Sequence, residues 1–323
     1  MSGESSPSPA AAPPCRGFLS ILDFDAVGLE HCIDLALQMK AERKLGVQAP
    51  SRQILGGRYV AMLFEKPSLR TRTTFEIAVR ELGGDVISLQ PDVAIGRREP
   101  VVDIARNLER WVHAVVIRTF SQHTIEEFAA AAPRLHVVNA LTDEQHPCQA
   151  LADFTTLRER LGPLAGRTLA YVGDGNNMAT SLAHAAAMLG VNFHVASPSG
   201  YELRPAVVNQ AARVARHGAR LRLFTEPTDA VAGADAAYTD TWTSMGQEAE
   251  AEVRRAEFAR YQVNPALMTC AKPGAFFMHC LPAHRGEEVA PEVFESAASV
   301  VFDQAENRLH GQKALLAMLI SAR

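Results

Sequence analysis

Glu65-Lys66-Pro67-Ser68-Leu69-Arg70-Thr71-Arg72-Thr73-Thr74-Phe75-Glu76 is the stretch that decides how this chain reads. The apolar run Tyr59-Val60-Ala61-Met62-Leu63-Phe64 leads into it and has the length and composition of a strand. Beyond it, Phe75, Ala78, Val79 and Leu82 recur at three- and four-residue spacing, as on one face of a helix. Ser68 stands where a helix cap would stand, with Arg70 and Arg72 in the first turn. Cations are disfavoured at that positive end. A bound dianion removes the conflict, because free backbone N–H groups, the hydroxyls of Ser68, Thr71 and Thr73, and a guanidinium then converge on one phosphate. The alternative is an ordinary capped helix with two solvated arginines.

The alternation continues outward from this stretch. Leu19 to Lys44 is helical in pattern; strand-like runs follow at Tyr59–Phe64, Asp85–Leu89, Ala114–Ile117 and His136–Asn139. Val101, Ile104, Ala105, Leu108 and Val112 make one apolar helical stripe between two of them. His146 to Arg160 reads as one helix, after which strands recur at Thr168–Val172, Asn192–Ala196, Arg220–Phe224, Ala236–Asp240, Ala275–Met278 and Ser299–Phe302. A closing helix spans 305–322. Such alternation predicts two α/β domains, each a doubly wound parallel sheet, with ligands in the cleft between them. The boundaries expected are a disordered tail over 1–17, a first domain over 18–150 and a second over 151–323, the last helix returning to the first domain.

Composition narrows the class. With 323 residues, 47% hydrophobic and 21% charged, the chain is long enough for two ordinary globular domains. A net charge of −4 gives no basic field for nucleic acid, and no apolar run reaches the roughly 20 residues that span a bilayer. Neither a secretory signal nor an Arg-rich transit peptide is evident, so a cytoplasmic protein is expected. Cys15, Cys32, Cys148, Cys270 and Cys280 have no metal-like spacing and read as reduced thiols.

The polar clusters fall at strand ends and helix starts. Arg118 ends one strand, and singly would be a surface ion pair. His146-Pro147-Cys148-Gln149 opens the central helix; His146 and Gln149 are either cap-region polar residues or donors to a carbonyl ligand. Gly173-Asp174-Gly175-Asn176-Asn177-Met178 resembles a dinucleotide fingerprint only superficially. Met178 replaces its third glycine, and Ala196-Ser197-Pro198 stands where an acid belongs, so a nicotinamide cofactor is rejected. The two asparagines either cap a helix or fix the polar groups of an amino acid. Asp240, ahead of Ser244-Met245-Gly246, suits a cationic substrate or an Asx turn. Cys280, in His279-Cys280-Leu281-Pro282, reads as buried packing rather than a nucleophile. Glu306-Asn307-Arg308 is expected to begin the last helix.

In this order, Ser68-Leu69-Arg70-Thr71-Arg72, His146-Pro147-Cys148-Gln149, Asp240 with Ser244-Met245-Gly246, and His279-Cys280-Leu281-Pro282 resemble the ornithine carbamoyltransferase family, from about Gly17 to the C-terminus. The resemblance implies transfer of a carbamoyl group from carbamoyl phosphate to the δ-amine of L-ornithine, giving L-citrulline and phosphate. It implies carbamoyl phosphate held by Ser68, Leu69, Arg70, Thr71, Arg118, His146, Gln149, Cys280, Leu281 and Arg308. Ornithine falls to Asn177, Asp240, Ser244 and Met245, with Arg118, His146, Asp240 and Cys280 acting in catalysis. No metal and no organic cofactor are implied; the partners are the two small substrates and further copies of the chain, as a homotrimer or an assembly of trimers. The rivals are a carbamoyltransferase for putrescine or N-acetylornithine and a non-catalytic paralogue. One departure stands out: Ala94 occupies a position where many family members carry a glutamine that reaches a neighbouring subunit's site, and Arg98 replaces a glycine. Arg97 or Arg98 is the expected substitute.

Overall fold

The computed structural model describes residues 17–89, 95, 99–243 and 248–321. Ala94, Arg97, Arg98, Ser244 and Met245 therefore lie outside the described residues. The first half runs β1 (Gly17–Phe18), α1 (Ala26–Glu42), β2 (Tyr59–Phe64), α2 (Leu69–Glu81), β3 (Asp85–Ser88), α3 (Val101–Trp111), β4 (Ala114–Arg118), α4 (Gln122–Ala131) and β5 (His136–Leu141). After α5 (Pro147–Leu161) come β6 (Thr168–Val172), α6 (Asn177–Met188), β7 (Asn192–Ala196), α7 (Pro205–Val214), β8 (Leu221–Phe224), α8 (Pro227–Val231) and β9 (Ala236–Thr239). The chain ends with α9 (Ala251–Phe258), α10 (Pro265–Met268), β10 (Phe276–His279), α11 (Pro291–Phe294) and α12 (Val301–Ile320).

These strands form two five-stranded sheets, ordered β1-β5-β4-β2-β3 and β10-β9-β6-β7-β8, with every pairing parallel. β2 shows why. Its Val60, Met62 and Phe64 enter one apolar cluster, while Ala61 and Leu63 enter another on the opposite face. A strand covered on both faces reads as a continuous apolar run rather than an alternation. The first cluster also takes in Leu169, Tyr171 and Met178 from the second half and Leu315 from α12, so the sheets share a core. α12 packs on α1, α2 and α5.

Strand order reverses between β2 and β4 in the first sheet and between β6 and β9 in the second. Chains leaving the carboxyl ends on either side of such a point diverge and open a crevice. Glu65 to Thr71 follow β2 and Arg118 ends β4; Gly173 to Asn177 follow β6 and Asp240 follows β9. These four positions, each noted in the sequence, thus sit at the two crevices.

Three local expectations differ from the structure. Gly17, counted with the tail, opens β1 and pairs with Val137. Ser299–Phe302 is not a strand: Ser299 makes one isolated bridge to Phe277, and α12 already starts at Val301. Adjacent Val300 and Val301 carry strand propensity, but packing of the helix overrides it. For the same reason Arg308 does not lie at a helix N-terminus; it sits inside α12, buried.

Candidate active site

Between the sheets lies a cleft with a volume of about 920 Å³, and every described residue of the expected site lines it. At one end Ser68 caps α2, its hydroxyl accepting from the Thr71 N–H at 3.3 Å. Arg70 is in the first turn of that helix and Leu69 at its start, the latter's side chain exposed. Arg118 lies beside Phe64 across the β2–β4 pairing and is buried. Arg308 reaches in from α12, donating to Thr71 Oγ1 at 2.7 Å and to Gln149 Oε1. Lys66, which sequence reasoning did not select, adds a buried ammonium held by Asp143 at 2.6 Å and by the Phe120 ring, 4.1 Å away.

These cations crowd one another. Burial, then Arg308 and Arg70, lower Arg118 to about 10, so it stays charged at neutral pH. Burial likewise lowers Arg70 and Arg308. His146, at the cap position of α5, is pushed well below the ordinary histidine value by burial and then by Arg308, Arg118 and Arg70. Its imidazole is therefore neutral, and its Nδ1 is buried without a partner in the structure. A buried site that suppresses its own basicity is built for an anion, whose arrival offsets the mutual repulsion.

The other end is carboxylate-centred. Asp240 Oδ2 accepts from Asn176 Nδ2 at 2.9 Å; its Oδ1 accepts from the Thr241 N–H at 2.8 Å and from the Cys280 thiol at 2.9 Å. Asn176 also caps α6, accepting from the N–H groups of Met178 and Ala179. Asn177 lines the cleft with its amide donating to the Thr142 carbonyl at 2.6 Å. Of the adjacent asparagines, it is therefore Asn176 that sequence reasoning missed as the partner of Asp240. The pattern that could have found it is the cap position itself, immediately before the helix.

Cys280 is held as a thiol, not a thiolate. Burial and then the Asp240 charge push it well above the usual cysteine value, which removes nucleophilic character. Asp240, His279 and Cys280 are close enough together to suggest a metal, yet their donors are engaged. His279 Nδ1 accepts from the Leu281 N–H at 2.8 Å, and its Nε2 faces Glu288 Oε1 at 3.2 Å. Gly175 serves protein packing: an added Cβ would meet the backbone between Glu202 and Leu203 at 2.5 Å.

A donor set for an anion thus shares one cleft with a carboxylate suited to an amine. Two family models match the chain. The carbamoyl-P binding domain of aspartate/ornithine carbamoyltransferase matches residues 16–159, and its Asp/Orn binding domain matches 165–319. The sequence is 49% identical over 308 residues to the ornithine carbamoyltransferase of Symbiobacterium thermophilum, covering 95% of this chain and 98% of that one. It is 48% identical over 307 residues to that of Parasynechococcus marenigrum, covering 94% of each. The fold matches the ornithine carbamoyltransferase structure from Pyrococcus furiosus with a TM-score of 0.91 and 45% identity, over 96% of this chain and 98% of that chain. With both halves matched and nearly its whole length aligned, this chain belongs to the aspartate/ornithine carbamoyltransferase family.

Proposed function

We propose that the protein transfers the carbamoyl group of carbamoyl phosphate to the δ-amine of L-ornithine, releasing L-citrulline and phosphate. The observation that carries this reading is the pairing, in one cleft, of a crowded cation cluster around Arg70, Arg118 and Arg308 with the Asp240 carboxylate. Phosphate oxygens take the Ser68 and Thr71 hydroxyls, the N–H of Leu69, and the Arg70 guanidinium. Arg118 and the neutral His146 donate to the carbamoyl oxygen. Gln149, Arg308 and the carbonyls of Cys280 and Leu281 surround the carbamoyl amide.

Attack of the amine on the carbamoyl carbon forms a C–N bond and puts negative charge on the carbonyl oxygen, where oriented donors give the largest catalytic gain. Collapse of that intermediate breaks the C–O bond to phosphorus, and the departing phosphate takes the proton shed by the new nitrogen. A free alkyl amine has a pKa of about 10.4, so the site must favour the neutral amine. Desolvation does so, while Asp240 and Cys280 orient the group. Asn177, Ser244 and Met245 hold the amino-acid end, on the strength of the family resemblance. Aligning the two reactants supplies much of the remaining acceleration.

The division into a carbamoyl-phosphate domain and an ornithine domain near residue 150, a cytoplasmic location, a place in arginine metabolism and assembly as a homotrimer belong to the same reading. Supporting self-association, Ile87 lies exposed on the edge strand β3 and Trp111 is exposed at the end of α3. No helix among the described residues is long and apolar enough to cross a membrane. The test is a panel of amines (ornithine, putrescine, N-acetylornithine) offered with carbamoyl phosphate and scored by the mass of each carbamoylated product. Citrulline as the main product supports the proposal; a product from another amine alone, or none, overturns it.

A further inference from the structure

Asp153 is the sole charged residue between His146 and Leu157, and it sits one turn beyond Gln149 on α5, fully buried. One of its oxygens, Oδ1, accepts from two side-chain amides: Gln149 Nε2 at 2.8 Å and Gln304 Nε2 at 2.7 Å. Its other oxygen faces the Tyr238 hydroxyl at 3.1 Å. Both glutamines are buried, and their carbonyl oxygens meet different partners. Gln149 Oε1 meets the Arg308 guanidinium, and Gln304 Oε1 accepts the His279 N–H at 2.9 Å, just before Cys280 and Leu281.

A glutamine amide has a donor end and an acceptor end of the same shape, and its neighbours decide which way it faces. Oδ1 of Asp153 accepts in either protonation state, because a proton on the carboxyl can sit on Oδ2 and point at Tyr238. We propose that Asp153 is a positioning residue that fixes the Gln149 amide so that the carbamoyl pocket presents an acceptor, not a second donor, to the substrate NH2. The same carboxylate holds Gln304, and through it the strand end carrying Cys280 and Leu281. This inference rests on the proposed carbamoyl transfer and adds the residue that gives its pocket a preference for a carbamoyl group over a bare phosphate.

The test compares two ligands that share the phosphate end. Asp153→Leu removes the partner of the Gln149 NH2 end and leaves the amide held only at its oxygen by Arg308, so the KM for carbamoyl phosphate should rise about tenfold or more, the effect of losing a fixed buried hydrogen bond. The inhibition constant of inorganic phosphate, which does not reach Gln149, should stay within about threefold. Asp153→Asn keeps one carbonyl oxygen for both amides and should restore the carbamoyl phosphate KM to within about threefold of wild type. If Asp153→Leu fails to fold, Asp153→Ser carries the same comparison, since its shorter hydroxyl cannot serve both glutamines. An unchanged carbamoyl phosphate KM, or a phosphate constant that rises in step with it, overturns the proposal. A wild-type protein that binds phosphate but forms no citrulline would instead remove the transfer reading beneath it.

Discussion

The Cys280 thiol donates to Asp240 Oδ1 at 2.9 Å, although 40 residues separate them in sequence. The register of β9 and β10 causes this: Thr239 pairs with His279, so the residues that follow each strand emerge side by side. A protonated thiol that donates to a carboxylate orients it and is no nucleophile. Cys280→Ser keeps a donor and should retain turnover, with the ornithine KM raised less than about tenfold. Cys280→Ala should raise that KM further. Steady-state kinetics of the two variants check this; loss of all turnover in the serine variant would contradict it.

His146 is neutral in the folded protein because burial and three guanidiniums oppose its protonation. Its folded-state value is depressed, so its contribution to stability is present above the unfolded value of about 6.5. That contribution is lost as pH falls below 6.5 towards the folded value. His146→Gln should therefore lose less stability than wild type on going from pH 7 to pH 5, as read from urea midpoints. kcat/KM for carbamoyl phosphate should show no limb near 6.5 assignable to this imidazole. A limb there that disappears in His146→Gln would contradict the assignment.

Much of this site could be read in the sequence, for physical reasons that differ between residues. The run Tyr59–Phe64 stood out because a strand covered on both faces is apolar throughout, and it matches β2 residue for residue. Ser68 was legible because caps are local: its hydroxyl and the N–H it accepts are three residues apart. Arg308 lies in α12 as part of the expected pocket, but its expected place at a helix start depended on a strand at Ser299–Phe302 that does not form. Asp153 is not legible from periodicity because α5 is buried from Pro147 to Leu157 and shows no polar face there. The available signal was a single acid in an otherwise uncharged helical stretch. Lys66 is not legible as a site residue, since it is held by Asp143 and Phe120, both distant in sequence.

Asn176 ties a helix start to the Asp240 carboxylate. Asn176→Ala removes the cap of α6 and the Asp240 partner together. Stability should fall by about 1 kcal/mol, the usual worth of such a cap. The ornithine KM should rise while the carbamoyl phosphate KM stays near wild type. Thermal unfolding and two-substrate kinetics measure both effects; a rise confined to the carbamoyl phosphate KM would contradict the assignment.

Arg118 remains charged despite its lowered value of about 10, and under the proposed mechanism it faces charge that develops only in the transition state. Arg118→Gln should therefore lower kcat by about 10²–10³-fold, with a smaller effect on either KM. Single-turnover rates at saturating substrates measure this. A variant whose KM rises while kcat is unchanged would place Arg118 in ground-state binding instead.

The most direct test of the whole account is the initial rate of L-citrulline formation by the purified protein at neutral pH, with carbamoyl phosphate and L-ornithine varied together. The account predicts a rate that saturates in both substrates, with one phosphate released per citrulline. A correctly folded protein that forms no ureido product above the rate in buffer would contradict it.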